Sequence, residues 1–420
     1  MTEADAPEDA STGGLADLIR QRSFVLFWVS RFLGILATQA QGVTIAWQVY
    51  ALAREGRTVE QSAFLLGMIG LAQFLPLFVL SLVAGDTADR HDRKTIIVVC
   101  LTVEILCVGV LGYMALTGQA AFQPIFLLAI VFGAARAFYN PASTAMAPGL
   151  VPRHLLPRAI AWNSLAWQSA SIAGPAVGGL LCAVSPTIAY FVIGALFGVA
   201  IVCLLPVTAV TAQVRQTASR MALMREGLSY VWRQKIVFGS ISLDLVAVLL
   251  GGATALLPVF ARDILKVGPE GFGVLRAAPA VGATVVAVYL GVRPIRRHAG
   301  VAMFTGVAVF GLGTLVFALS REMWLSLLAL AVLGGGDMMS VFVRQSLVQI
   351  VTPDHMRGRV AAVATLFVGA SNELGEFESG VVARLMGPVG AAVFGGVGAL
   401  VATGLWSRLF PELRRADRLT

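Results

Sequence analysis

The sequence predicts an all-α membrane protein of twelve transmembrane helices, arranged as two pseudo-symmetric six-helix bundles. Three observations predict it. Of 420 residues, 57% are hydrophobic and 13% charged, about half the charged share of a soluble domain. The apolar residues fall in runs that suit spans of about 20 residues each. Basic residues concentrate in alternate connections, as they do when one set of loops faces the cytoplasm. A secreted disulfide scaffold, a disordered chain and an ordinary cytosolic enzyme are all excluded by this composition.

The elements follow in order. Met1–Gly14 is acidic and rich in small residues and lacks the basic start of a signal peptide, so residues 1–20 read as a disordered cytoplasmic tail. Apolar segments then occupy 24–53, 62–84, 95–116, 122–150, 159–184 and 187–206, within an N-terminal bundle of residues 21–206. A basic cytoplasmic linker covers 207–235. The C-terminal bundle, 236–410, holds segments at 237–261, 271–292, 300–319, 323–350, 359–386 and 389–410, and 411–420 forms a second cytoplasmic tail.

Charge orients this plan. Of 31 Lys and Arg, 21 lie in one set of loops and tails, 5 in the alternate loops and 5 (Arg31, Arg136, Arg276, Arg344, Arg384) inside spans. Both termini therefore face the cytoplasm of a bacterial inner membrane. The pI near 9.8 reflects this topology and not a nucleic-acid partner. Cys100, Cys107, Cys182 and Cys203 lie in apolar runs without ligand spacing, and no nucleotide, metal or hydrolase motif is present. The expectation is no enzyme, no cofactor and no metal.

The halves repeat. Pro152, His154, Arg158, Gly174 and Gly179 recur as Pro353, His355, Arg359, Gly375 and Gly380, each 201 residues later, and the same offset pairs Arg136 with Asp337. Two related six-helix halves are the physical signature of a transporter whose site lies between them.

Gly85, Asp89, Arg90, Arg93 and Lys94 follow the second span. Gly85 supplies backbone freedom for a tight turn, Asp89 accepts at a helix N-terminus or pairs with a neighbouring Arg, and the basic triplet forms a cytoplasmic latch. This spacing resembles the signature loop of the major facilitator superfamily, with Asp92 standing where a second glycine is usual. The resemblance implies the major facilitator fold and a loop that locks the outward-facing state. Gly174, Pro175, Gly178 and Gly179 in the fifth span resemble the second half of the helix-bend motif of drug/proton antiporters, Ala161 and Ala170 replacing its upstream glycines. That resemblance implies export.

Arg136 lies about 14 residues into the fourth span, where an unpaired charge costs about 2.5–3.5 kcal/mol, so it faces a cavity or an acid. It resembles the membrane arginine linked to proton coupling in antiporters. Arg31, Arg276, Arg344 and Arg384 lie nearer span ends and can snorkel. Six acids fall within spans: Glu104, Asp244, Asp337, Glu373, Glu376 and Glu378. Glu373 and Glu376 share one helix face, about 60° apart, so both cannot ionise cheaply. In the repeat, Gly375–Gly380 replaces the apolar Gly174–Gly179 with an acidic segment. Gly334, Gly335 and Gly336, beside Asp337, bend or thin their helix.

Residues 242–245, 352–360 and 370–377 resemble the enterobactin-exporter-like branch, the transmembrane secretion effectors. The resemblance implies an exporter of an amphipathic small molecule, siderophore or drug-like, working in the lipid bilayer by alternating access; a monomer is expected because each chain holds both halves of a complete carrier. Protons couple through Asp244, Asp337, Glu373 and Glu376, with Arg136 as their counter-charge. The alternative is a lipid or lysophospholipid translocator of the same fold, with Arg136 or Arg276 holding a phosphate head group.

Overall fold

The computed structural model describes residues 15–208, 220–293, 295 and 297–417, and all regular structure among them is helical. Ten long helices run as α1 Arg22–Arg54, α2 Val59–Arg90, α3 Arg93–Leu116, α4 Phe122–Met146, α5 Leu156–Val184, α6 Pro186–Leu204, α7 Lys235–Ile264, α8 Gly268–Val292, α9 Ala299–Leu319 and α10 Met323–Val351. The stretch Asp354–Leu409 holds two more, α11 over 354–386 and α12 over 388–409. Outer faces carry exposed apolar side chains such as Leu106, Val184 and Leu385. Helices this long with apolar outsides cross a bilayer, and twelve crossings return the chain to the side it left. That side, which holds the start of α1 and the end of α12, is called the terminal side below; the other is the far side.

Local chemistry sets the helix ends. Thr58 and Gln61 form a reciprocal capping box at the start of α2. Ser185 caps α6 with Pro186 in its first turn, so α5 and α6 are joined through a single residue. The same far-side corner recurs in the second half. Gly387 takes φ 76, ψ 165, a conformation suited to glycine, and Pro388 opens α12.

The α2–α3 corner differs from the tight turn expected around Gly85. Helix α2 continues through Gly85 to Arg90, and the turn is made by His91 and Asp92 alone. Asp92 caps α3, its carboxylate accepting from the Thr95 N–H at 3.0 Å and the Thr95 hydroxyl at 2.7 Å. A cap needs an acceptor that glycine lacks, which accounts for Asp92 in the glycine position. Burial pushes the Asp92 carboxyl up, but the Thr95 hydroxyl, the Thr95 and Lys94 N–H groups and the Lys94 charge outweigh it and hold the group below its ordinary value.

The expected disordered tail is also partly ordered. Residues 1–14 lie outside the described residues, whereas Leu15–Arg20 form a helix with Leu18 buried against the bundle, an apolar anchor that the acidic composition obscured. Within the linker, Arg220–Arg233 form an amphipathic helix tied to α11 by Glu226–Arg359 at 2.5 Å and to the end of α10 by the Tyr230 hydroxyl, which donates to the Val351 carbonyl at 3.0 Å.

The two halves meet through backbone-close crossings on the far side. Gly179 of α5 packs on Pro269 and Gly273 of α8, and Gly67 of α2 packs on Gly380 of α11. Gly179 and Gly380 are related by the offset of 201, and Gly67 and Gly273 by 206, so the two crossings are equivalent contacts of the repeated halves. Tyr50 of α1 donates to Asp263, which lies in a π-turn at the end of α7, and Arg54 pairs with Asp263 at 3.4 Å. Nearer mid-depth, Gln168 of α5 donates to the Thr284 hydroxyl of α8 at 2.6 Å and to the Ala280 carbonyl at 3.1 Å.

Candidate functional site

Between the halves lies a chamber of about 150 Å³. The N-terminal half contributes Thr38, Gln39 and Gln41 of α1, Gln73 of α2, Glu104 of α3, Phe132 and Arg136 of α4, and Pro175 of α5. The C-terminal half contributes Thr254 and Pro258 of α7, Phe272 and Arg276 of α8, and Glu376 of α11. Charge therefore enters from both walls: Glu104 with Arg136 on one, Arg276 with Glu376 on the other. The Arg276 guanidinium donates to the Glu376 carboxylate at 3.3 Å and to the Thr254 carbonyl at 3.1 Å. The two side chains stay 38% and 29% exposed, so this pair faces the chamber and is not sealed in protein. Arg136 donates to Gln73 Oε1 at 3.4 Å.

The repeat explains the asymmetry of the walls. The offset of 201 carries Pro175 onto Glu376, and the crossing that equates Gly67 with Gly273 carries Gly70 onto Arg276; Gly70 also lines the chamber. An ion pair in one half stands where small or apolar residues stand in the other.

Arg136 and Glu376 both line this chamber, as expected of coupling residues, but Arg136 is not the shared counter-charge of the acids. Asp244 pairs with Arg344 at 3.2 Å, both buried, and Asp337 feels the charges of both. Glu376 pairs with Arg276. Asp244 and Glu376 are thus each paired with an arginine of their own half, because a desolvated carboxylate needs a cation within a few ångströms and Arg136 projects from the opposite bundle. Arg276 and Arg344, expected to snorkel, are thus held inside the protein. Arg31 is half-buried with its guanidinium near the Ser143 carbonyl, and Arg384 lies over the Phe64 ring at 5.0 Å. The side chain of Glu373 lies outside the described residues. Glu378 is half-buried beside Ser379.

The helix-bend motif is built for contact. A methyl on Gly174 or Gly178 would meet α1 at Gln39 or Ala40, while Gly179 faces α8 across the halves. The equivalent Gly375 packs on α7 at Val248 and Leu249. Gly334 and Gly336 thin α10 against α8 and α9 without breaking it.

Among the described residues the basic triplet makes its contacts within its own half. Arg90 pairs with Asp86 one turn back at 2.8 Å. Arg93 donates to the Ala145 carbonyl at 2.7 Å, and Lys94 to the Leu205 and Val207 carbonyls. These carbonyls close α4 and α6, so Arg93 and Lys94 satisfy helix C-termini of their own bundle. Asp89 is half-buried near the end of α2.

The sequence matches the family described as transmembrane secretion effector over residues 12–418. The chain belongs to that family. It is a multi-pass membrane transporter of the major facilitator superfamily and not an enzyme. Among relatives, it is 27% identical over 402 residues to the multidrug efflux pump Tap of Mycobacterium tuberculosis, covering 92% of this chain and 93% of that one. It is 26% identical over 405 residues to the enterobactin exporter EntS of Escherichia coli O1:K1, covering 94% and 93%. The fold matches a bacterial homologue of the lysosomal transporter Spinster in an inward-facing conformation, with TM-score 0.71, 14% identity and coverage of 94% and 98%. A D-xylose–proton symporter matches equally, with TM-score 0.71, 12% identity and coverage of 94% and 99%.

The sequence places Arg276 only in the alternative reading, as a phosphate-binding residue, and includes neither Arg344 nor Asp263 among the site residues. The available signal was the rule that an intramembrane ion needs a partner, but choosing the partner requires knowing which helices are neighbours.

Proposed function

We propose that the protein is a proton-coupled exporter of an amphipathic, drug-like or siderophore-like small molecule, acting as a monomer by alternating access. The observation that carries the reading is the chamber itself, where Glu376 and Arg136 lie on opposite halves beside the antiporter-type Gly174–Gly179 segment. Full-length similarity to a multidrug efflux pump and an enterobactin exporter supports the direction and the cargo class.

The coupling set is Arg136, Asp244, Asp337, Glu373 and Glu376, with Glu376 its point of access to the chamber. An ionised Glu376 favours a cationic or hydrogen-bonding cargo; a proton arriving from outside neutralises it and releases the cargo. The terminal side is the cytoplasm of the bacterial inner membrane, from the arginine asymmetry. The far-side crossings then close the outward exit. Gly85, Asp89, Arg90, Arg93 and Lys94 form the gate loop of the opposite state, in which the basic side chains turn from their helix ends toward the other half. Drug-sized ligands occupy sites of about 300–1,000 Å³, so the 150 Å³ chamber must widen to admit its cargo.

Reconstituted protein carrying Glu376→Gln tests the reading. Efflux of a fluorescent amphipathic cation such as ethidium, driven by an imposed pH gradient, should fall by about tenfold or more, as removal of a proton-transfer group does. Unchanged transport with an unchanged pH profile removes Glu376 from the mechanism.

A lipid translocator is the second reading, favoured by one observation. A crevice of about 410 Å³ between α8, α9 and α10, lined by Val281, Val285, Val309, Val332 and Met339, is wholly apolar in its side chains. Gradient-independent movement of labelled lysophospholipid in the same vesicles would support it.

A further inference from the structure

The N-terminal wall of the chamber carries a carboxylate outside the coupling set. Glu104 sits midway along α3, is 3% exposed, and yet lines the same chamber as Arg136, Gln73 and Glu376. Burying an ionised carboxylate this deeply is costly unless a cation or hydrogen bonds answer it. The groups around it are few. Arg136 and Tyr139 face it from α4, and Cys100 and Cys107 lie about one turn away on α3 itself. Gln73 of α2 shares the chamber wall, and Arg31 of α1 acts on Tyr139. On its other side α3 packs against α6, where Tyr190 donates to Gln48 of α1 at 2.5 Å.

Among the described residues no cation lies within 4 Å of Glu104. Arg136 instead makes a long bond to Gln73. A guanidinium has five N–H donors, so Arg136 can turn toward an ionised Glu104 or stay with Gln73 when Glu104 is neutral. This arrangement mirrors the other wall in chemistry but not in position, because Glu376 lies on α11 and Arg276 on α8.

We propose that Glu104 is a second proton-exchanging carboxylate of the chamber, working with Arg136 on the N-terminal half as Glu376 works with Arg276 on the C-terminal half. The proposal rests on the proton-coupled reading above. The step is a simple proton transfer: a proton from the outside water forms an O–H bond on Glu104 and leaves to the cytoplasmic water when the chamber opens inward. With both carboxylates ionised, the two guanidiniums are balanced and a cationic cargo is tolerated. With both protonated, each wall presents an uncompensated guanidinium, and a cation is expelled. Loading from both halves couples the proton to the closing of the chamber, since the walls separate and rejoin during transport.

The test uses full-length protein in proteoliposomes, with ethidium as probe and the outside pH varied. Wild type, Glu104→Gln, Glu104→Asp, Glu376→Gln and the double Gln variant are compared. Wild-type efflux should depend on outside proton concentration more steeply than first order, and Glu104→Gln should reduce that dependence to about first order. Gradient-driven efflux by Glu104→Gln should fall by about tenfold or more, as loss of a proton-transfer group does, while ethidium counterflow at equal pH persists. Glu104→Asp should restore the steepness with a displaced midpoint. A Glu104→Gln profile superimposing on wild type overturns the proposal, and so does loss of counterflow in step with efflux, which marks a structural role. If Glu104→Gln does not fold, Glu104→Asp decides, because an unchanged midpoint and slope there also overturn it. Wild-type efflux indifferent to the pH gradient sinks the proton-coupled reading itself, whereas gradient-dependent efflux that ignores Glu104 sinks this proposal alone.

Discussion

Gly179 and Gly273 cross backbone to backbone where the halves meet on the far side: a methyl on Gly179 would lie 2.7 Å from the Gly273 Cα and 2.6 Å from the Pro269 carbonyl oxygen. The Gly67–Gly380 crossing repeats this contact in the other pair of helices, with 3.0 Å from a Gly67 methyl to the Gly380 Cα. These two contacts hold the far side shut, and each requires the absence of a side chain.

Gly179→Ala should therefore favour opening of the far side. Overpacking of this kind costs about 1–3 kcal/mol, which corresponds to a population shift of roughly 5- to 150-fold. Spin labels on Cys introduced at Glu55 and Glu270, with the four native cysteines replaced, should report a longer distance population in the Ala variant. A distance distribution identical to that of the parent would show that the crossing does not limit opening.

The Tyr50–Asp263 contact makes the same closure by polar means. Tyr50 is buried on α1, and Asp263 also pairs with Arg54, so two groups of the N-terminal half converge on one carboxylate of the C-terminal half. Removing one hydrogen bond to a charged group costs about 1.5–3 kcal/mol. Tyr50→Phe should raise the open far-side population in the same label experiment, and Asp263→Ala should raise it further, because it removes the acceptor of both Tyr50 and Arg54.

Much of this was legible before the structure. Span number and the repeat follow from residue type and spacing, since apolar run length and motif spacing are local properties of the chain. The same 201-residue offset reappears in space, where Gly174 and Gly375 contact α1 and α7 in equivalent fashion. The partners of the buried charges were not legible. Arg344 and Asp244 are 100 residues apart in sequence, as are Arg276 and Glu376, and only helix packing brings each pair together. The corner at Asp92 differs for a related reason: the backbone freedom of Gly85 suggests a turn there, while the capping acceptor three residues before Thr95 is the physically decisive signal.

Asp92 gives a pH prediction with a definite sign. Its carboxyl is held below its ordinary value, so its contribution is fully present above the ordinary carboxylate pKa, roughly pH 4, and is lost as pH falls through the folded value. Asp92→Ala should lower stability at neutral pH by about 0.5–2 kcal/mol, the usual worth of an N-cap. The melting-temperature gap between wild type and variant in detergent should narrow as the buffer is acidified. A gap independent of pH would mean that the cap acts without its charge.

The Asp244–Arg344 pair separates structural from transport roles among the membrane acids. Both side chains are buried, at 5% and 6% exposure, and Asp337 lies within reach of their charges. Removing one member leaves the other as an unpaired buried charge, a loss of about 3–5 kcal/mol, whereas replacing both by apolar groups of similar volume is often neutral. Asp244→Asn should therefore lower the melting temperature strongly, and Asp244→Leu combined with Arg344→Met should recover most of it. If the double variant regains stability but not gradient-driven efflux, the pair serves transport as well as folding. Recovery of both properties would assign Asp244 and Arg344 to packing of the C-terminal bundle and leave coupling to the chamber carboxylates.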